Sequence, residues 1–258
     1  MQNMLVTPRY PPVSDGTPSL LPYLASFCVV GPISVGKTTL VKRLEKLSVV
    51  TPANQHRMQE KITSQPSIMA EFTRLELPVN SNTRLRVNLT DTPGMKKLFF
   101  ALPASIVRNQ CGYLIVFDLT DRDTFKDIRE WFGPVRDYAP PFSEIFLVGN
   151  KADQESKRQV QYHEGVSVAN SMGAKYYETS ATDGWSVLDV FKAMAQNVVG
   201  KVDFGTLDIE DPRNGFTLLD QNGTPIKNGI VNRKTAGPKR THGFESDEEE
   251  EKDTGCRC

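Results

Sequence analysis

The chain has 258 residues, 38% hydrophobic and 24% charged, with 31 basic side chains against 31 acidic ones. A net charge of zero argues against an electrostatic footprint for nucleic acid, and no uninterrupted apolar stretch approaches the ~20 residues of a membrane-spanning helix. The length suits one globular domain with appended segments, and the Pro-rich start does not resemble a secretion signal, so a reducing compartment is the default.

Residues 1–25 read as a mobile Pro-rich extension. The apolar run Phe27-Cys28-Val29-Val30 is the first strand signal, and Gly31-Pro32-Ile33-Ser34-Val35-Gly36-Lys37-Thr38 follows it directly. The pattern G-x-x-x-x-G-K-T between a strand and a helix describes a phosphate-binding loop. Backbone N–H groups at Gly31, Ser34, Val35, Gly36 and Thr39 are candidates to face a polyphosphate, and Lys37 reaches it as a point charge. Thr38 offers a hydroxyl to Mg²⁺, and the helix start adds its positive dipole end. With glycine at about 7% of residues, a chance match in a chain of this length is on the order of one per cent.

A helix is expected from about Lys37 to Lys46, then strands around Ile68 to Leu77 and Arg84 to Leu89. The second strand ends in Asp91-Thr92-Pro93-Gly94, where a carboxylate can hold a water on Mg²⁺ and Gly94 lets a backbone N–H approach a terminal phosphate. Alone, that tetrapeptide is usually a turn; its weight comes from lying downstream of the phosphate loop. Tyr113 to Phe117 reads as a strand before a helix through Trp131. The run Ile145 to Val148 delivers Asn150-Lys151-Ala152-Asp153 to a sheet's carboxyl edge, where α/β folds bind ligands. Asp153 can accept from both the ring N–H and the exocyclic amine of guanine, a donor pair that adenine lacks. A helix around Val160 to Ser171 and a short strand at Lys175 to Tyr177 lead to Glu178-Thr179-Ser180-Ala181. The backbone of Ser180 and Ala181 can meet the guanine oxygen.

A final amphipathic helix spans Ser186 to about Val198. Alternating strands and helices predict an α/β fold, a mostly parallel sheet with helices on both faces. From residue 201 to 258 apolar density falls, and the segment reads as a disordered tail, with a small hairpin conceivable at Asn222-Gly223. Glu245 and Asp247 to Glu251 form a solvated acidic run around Ser246. Cys28 and Cys111 lie in apolar surroundings and read as packed thiols, whereas Cys256 and Cys258 end the chain as a candidate lipidation pair.

These residues together resemble a Ras-superfamily small GTPase of the Rab branch over about residues 25 to 200. Besides the four motifs, Phe117-Asp118-Leu119-Thr120 with Thr124-Phe125 and Trp131-Phe132 is similar to the Rab segment after the fourth strand. Arg158-Gln159-Val160 with Glu164-Gly165 and Ala169 is similar to the segment entering the next helix. Cys256-Arg257-Cys258 is similar to the double-geranylgeranyl signal. The resemblance implies a 26–200 GTPase domain cycling between GTP and GDP with Mg²⁺, acting in vesicle traffic, and lipid-anchored to the cytosolic face of an internal membrane. Its implied partners are an exchange factor, an activating protein, a prenyl-Rab extraction factor and effectors.

By the same resemblance, Ser67 is the switch residue that completes the Mg²⁺ shell, with Thr63 as runner-up. The chain departs from the family at two places that touch hydrolysis. Met95 stands where a water-orienting Gln is usual, and Ile33 where a small residue is usual. Slow GTP hydrolysis is therefore expected, and a non-cycling GTP-binding scaffold is the alternative. The aromatic residue that usually stacks on guanine after the first helix is absent.

Overall fold

The structure, a computed structural model, describes residues 19–48, 62, 69–97, 107–220 and 222–226, all within the unit Met1–Ile226. Among these residues seven strands form one sheet: β1 (Ser19–Val30), β2 (Glu71–Pro78), β3 (Thr83–Asp91), β4 (Gly112–Asp118), β5 (Glu144–Asn150), β6 (Lys175–Glu178) and β7 (Phe216–Leu218). The helices are α1 (Lys37–Ser48), α2 (Arg122–Lys126), α3 (Ile128–Tyr138), α4 (Tyr162–Met172) and α5 (Val187–Asp203). The strand order is β2-β3-β1-β4-β5-β6, with β7 paired to β1 off that path.

β1, β3, β4, β5 and β6 run parallel, while β2 is antiparallel to β3 and β7 to β1. Every residue of β4 is buried, as a central parallel strand covered on both faces requires. On one face, Leu40 and Leu44 of α1 and Phe191, Met194 and Val198 of α5 pack against Val29, Val87 and Leu114. On the other, Trp131 and Val135 of α3 and Ala169 of α4 pack against Cys28, Tyr113, Ile115 and Phe117. Cys28 and Cys111 are buried and unbridged, and burial pushes the Cys111 thiol up to about 12.

The helix boundaries follow local chemistry. The Asp121 carboxylate caps α2 by accepting from the Asp123 N–H, and a second helix, α3, follows where the sequence suggested one. Gln161 and Glu164 form a reciprocal capping box at the start of α4, and Gly173 ends it in the left-handed region at φ 66°.

Two expected boundaries are corrected. The extension assigned to residues 1–25 gives way to strand at Ser19, because alternation buries Leu21, Tyr23 and Ala25 and the segment pairs with β3. The tail assigned from 201 onward is ordered through much of 201–226. α5 continues to Asp203, and β7 then returns to the sheet. The reason is a vacant ladder. β4 starts pairing with β1 only at Phe27, which leaves the flank at Tyr23–Ala25 for β7, with Tyr23 opposite Leu218 and Ala25 opposite Phe216. Leu207, Phe216 and Leu219 bury themselves there, and Phe216 meets Tyr23 edge to face at 5.5 Å. Beyond β7 an antiparallel bridge joins Leu219 to Pro225, and Gly223 takes φ 77°, a tight turn at the place where a hairpin was conceivable.

Phe216→Ala is expected to destabilise the fold by about 3–5 kcal/mol, the range for emptying a buried aromatic site. Urea unfolding monitored by far-ultraviolet circular dichroism checks it; a change below about 1 kcal/mol would mean that β7 is a loosely held appendage.

Candidate functional site

The four motifs, scattered over 151 positions from Gly31 to Ala181, converge at the carboxyl ends of β1, β3 and β5 and the loop after β6. At the phosphate end, the loop between β1 and α1 holds three left-handed residues: Gly31 at φ 140°, Ser34 at 64° and Gly36 at 93°. A side chain at Gly31 would stand 2.1 Å from the Val116 carbonyl oxygen, so only glycine fits there. Val35 is buried beneath the loop, and Thr38 and Thr39 lie in the first turn of α1. Lys37 is 6% exposed, and its Nζ donates to the Pro32 carbonyl at 2.8 Å. Burial lowers its pKa to about 8, against the opposing pull of Asp91.

Asp91 and Thr38 form the next layer. The Thr38 hydroxyl donates to Asp91 Oδ2 at 2.5 Å. Burial raises the Asp91 pKa, partly offset by Thr38 and Lys37. Its Oδ1 is buried without a hydrogen-bond partner, an unmet acceptor beside a hydroxyl. Two hard oxygen ligands with an unmet lone pair fit Mg²⁺, directly or through water. Thr92 anchors this segment to β1 through its hydroxyl, which donates to the Val29 carbonyl at 2.8 Å. A side chain at Gly94 would stand 2.5 Å from Ile33 Cα and 2.7 Å from Lys37 Nζ. Asp91-Thr92-Pro93-Gly94 therefore closes directly over the phosphate loop. Ile33 and Met95 flank that contact, 44% and 50% exposed. Lys96 continues the segment and ion-pairs with Asp127 at 3.2 Å and Glu130 at 2.6 Å.

The base end is built around Asn150, 1% exposed at the end of β5. Its amide donates to the Val35 carbonyl at 2.8 Å and accepts from the Ala181 N–H at 3.1 Å and the Thr179 hydroxyl at 3.3 Å. Lys151 takes a left-handed φ of 68° and ion-pairs with Asp118 at 2.6 Å. Asp153 is exposed, and its Oδ1 accepts from the Ser180 hydroxyl at 2.7 Å. The Ser180 N–H, expected to meet the base, instead donates to the Trp185 carbonyl at 3.0 Å. Ser180 thus holds Asp153 through its hydroxyl, and the Ala181 N–H, also expected to meet the base, donates instead to Asn150 Oδ1.

Sequence reasoning missed two contributors. Asp118, which the sequence marks only as part of the Phe117–Thr120 resemblance, clamps Lys151 and accepts from the Thr120 N–H at 2.8 Å. Arg43, an ordinary charged position by its sequence, is 1% exposed and reaches across to the Ala181 loop. Ser67 and Thr63, the switch candidates for Mg²⁺, and Cys256 and Cys258, the lipidation pair, lie outside the described residues.

A phosphate cradle on β1–α1, a carboxylate at the end of β3 and an Asn-Lys-x-Asp loop after β5 define the α/β phosphate-loop GTPase class. A sequence profile of the Ras family matches residues 26–200. Ras-related protein RABA6a of Arabidopsis thaliana is 31% identical over 216 residues, covering 81% of this chain and 87% of that relative. Ras-related protein Rab-39A of Homo sapiens is 28% identical over 238 residues, covering 91% and 97%. Ras-related protein Rab-4 of Dictyostelium discoideum is 29% identical over 188 residues, covering 73% and 85%. The chain belongs to the Ras family and is Rab-like within it.

The lowered Lys37 pKa makes nucleotide binding proton-linked. Above about 8 the Lys37 amine of the free protein is increasingly neutral, while a bound polyphosphate favours its charged form. Binding then takes up a proton, and affinity falls as pH rises through that value. Calorimetric titration of the nucleotide-free protein with GDP at pH 8.5, in two buffers of different ionisation enthalpy, is expected to show net uptake that Lys37→Met abolishes.

Proposed function

We propose that this chain is a guanine-nucleotide switch of Rab type in vesicle traffic, held at the cytosolic face of an internal membrane by lipids on Cys256 and Cys258. The observation that carries the nucleotide reading is the base-side arrangement of Asn150, Ser180 and Asp153. The Ser180 hydroxyl fixes the Asp153 carboxylate, and Asn150 ties the loop that carries Ser180 and Ala181 to the phosphate loop. One carboxylate matched to two donors on guanine would leave ATP at a disadvantage of several kcal/mol.

Lys37 and the backbone of the Gly31–Thr38 loop bind the phosphates, and Thr38 and Asp91 would hold Mg²⁺, whose charge neutralises the phosphate oxygens when it is bound. Gly94, close enough to Ile33 and Lys37 that a side chain there would clash with both, would sense the terminal phosphate through its N–H. Loss of that phosphate would release the Gly94 segment and the segment around Ser67, and with them the surface that effectors read. Exchange factor and activating protein would act on the same surface.

Turnover is slow in this reading. Hydrolysis here is positioning plus charge stabilisation, and Met95 has no group that can orient a water. Ile33, half-exposed beside Gly94, fills space that an incoming arginine and the water both need. Single-turnover hydrolysis is compared for the unmodified protein, Met95→Gln, Ile33→Gly and the double variant. A gain of about 10²-fold, the size of one positioned polar group, is expected only in the double variant. Fast turnover by the unmodified protein would overturn this assignment. No turnover with any activator present in cell extract would favour the alternative, a GTP-holding scaffold that does not cycle.

Anchoring has its own test. One lipid gives only marginal membrane binding, and the acidic run near the terminus opposes adhesion to an anionic leaflet, so both cysteines are needed. Changing Cys256 and Cys258 together to Ser is expected to move the protein from the membrane fraction to the cytosol, and continued sedimentation with membranes would contradict the proposal.

A further inference from the structure

We infer that Lys96 is a positioning residue for the terminal phosphate, holding the Gly94 segment against the phosphate loop by an ion bridge to the start of α3. The inference rests on the guanine-nucleotide reading above and extends it to residues outside all four motifs.

The segment after β3 has few polar ties to the rest of the described residues. Thr92 is bonded to the Val29 carbonyl through both its N–H and its hydroxyl. From Pro93 to Lys97, the polar contacts with other described segments are those of Lys96, whose Nζ donates to Glu130 Oε2 at 2.6 Å and lies 3.2 Å from Asp127 Oδ1. Gly94 lies between these two anchors. Its N–H meets no acceptor among the described residues, and its backbone is so close to the phosphate loop that a side chain would stand 2.5 Å from Ile33 Cα. The donor intended for the terminal phosphate is therefore uncommitted, and its position is set by its neighbours.

α3 is a firm wall for the bridge. Ile128 and Trp131 bury its inner side against the sheet, which fixes the start of the helix. Asp127 makes no side-chain capping bond, so its carboxylate is available to Lys96. Two carboxylates three positions apart repel each other, and the Lys96 ammonium answers both. Lys96 and Asp127 are 36% and 39% exposed and Glu130 more so, which makes the bridge modest in worth and sensitive to salt.

Two residues span at most about 7 Å, so a displacement of Gly94 is passed on to Lys96. A bridge formed while Gly94 lies against the phosphate loop favours that position whichever nucleotide is bound. A triphosphate needs the position and a diphosphate does not, so the bridge strengthens triphosphate binding selectively.

The test measures dissociation constants of GDP and the non-hydrolysable analogue β,γ-imido-GTP, with Mg²⁺, for four proteins: the unmodified chain, Lys96→Met, Asp127→Asn with Glu130→Gln, and all three changes together. Lys96→Met and the carboxylate pair are each expected to weaken the analogue relative to GDP by about threefold, the worth of a partly exposed bridge, and the triple variant by no more than either. The shared direction is decisive, because through-space charge alone would make loss of a cation and loss of two anions act oppositely on a polyphosphate. Opposite effects, additive effects or an unchanged ratio would overturn the inference and leave Lys96 as a surface charge. Should the carboxylate pair fail to melt cooperatively, Glu130→Gln alone takes its place in the cycle. Failure of the guanine reading itself is visible separately, as an unmodified protein that binds ADP as well as GDP.

Discussion

The side-chain amide of Asn150 is the joint on which the site depends. It connects the phosphate loop to the base loop by bonds to Val35, Thr179 and Ala181, and none of these partners lies near it in sequence. The approach is so close that a side chain at Gly36 would stand 2.4 Å from Asn150 Nδ2. The second glycine of the phosphate loop is thus required by a residue 114 positions later as well as by its own φ of 93°. Losing the amide would leave the Val35 carbonyl and the Ala181 N–H unmet in a buried place, and both ends of the site would loosen together.

Around that joint, charge is arranged in two pairs. Lys37 and Asp91 share a poorly solvated pocket in which burial lowers the lysine pKa and raises the aspartate pKa. Each ionised form is under strain, and a bound polyphosphate and cation would relieve both. Lys151 and Asp118 form the outer pair at 2.6 Å, and Arg158 with Glu178 at 2.9 Å braces the strand that follows. The phosphate end is thus poised for exchange of charge with a ligand, while the base end carries its own counter-charges and serves as a rigid frame.

The parallel core and the motif positions were legible in the sequence because each motif follows an apolar or alternating strand signal, and such signals are a local property. The lower half of β1 was not. Pro11, Pro12, Pro18 and Pro22 made residues 1–25 look unstructured, yet burial of Leu21, Tyr23 and Ala25 against β3 decides the matter through pairing with residues more than sixty positions away. β7 was hidden for the same reason. Leu207, Phe216 and Leu219 bury among polar neighbours, and they suffice because the sheet supplies a ready ladder. Arg43 carried no signal at all, since a buried arginine is recognisable only by the carbonyls that come to it. The misreading of the Ser180 N–H has a similar origin, because its partner, the Trp185 carbonyl, is set by the turn through Gly184 and Ser186.

The central claim is that the Asp153 carboxylate selects guanine, and the most direct measurement is the affinity of the unmodified protein and Asp153→Asn for GDP and for xanthosine diphosphate. The amide exchanges an acceptor for a donor at the group that faces the base edge. The account predicts that the unmodified protein favours GDP and that Asp153→Asn reverses the order in favour of the xanthine nucleotide. An unmodified protein indifferent to the base, or a variant that weakens both nucleotides without reversing them, would contradict it.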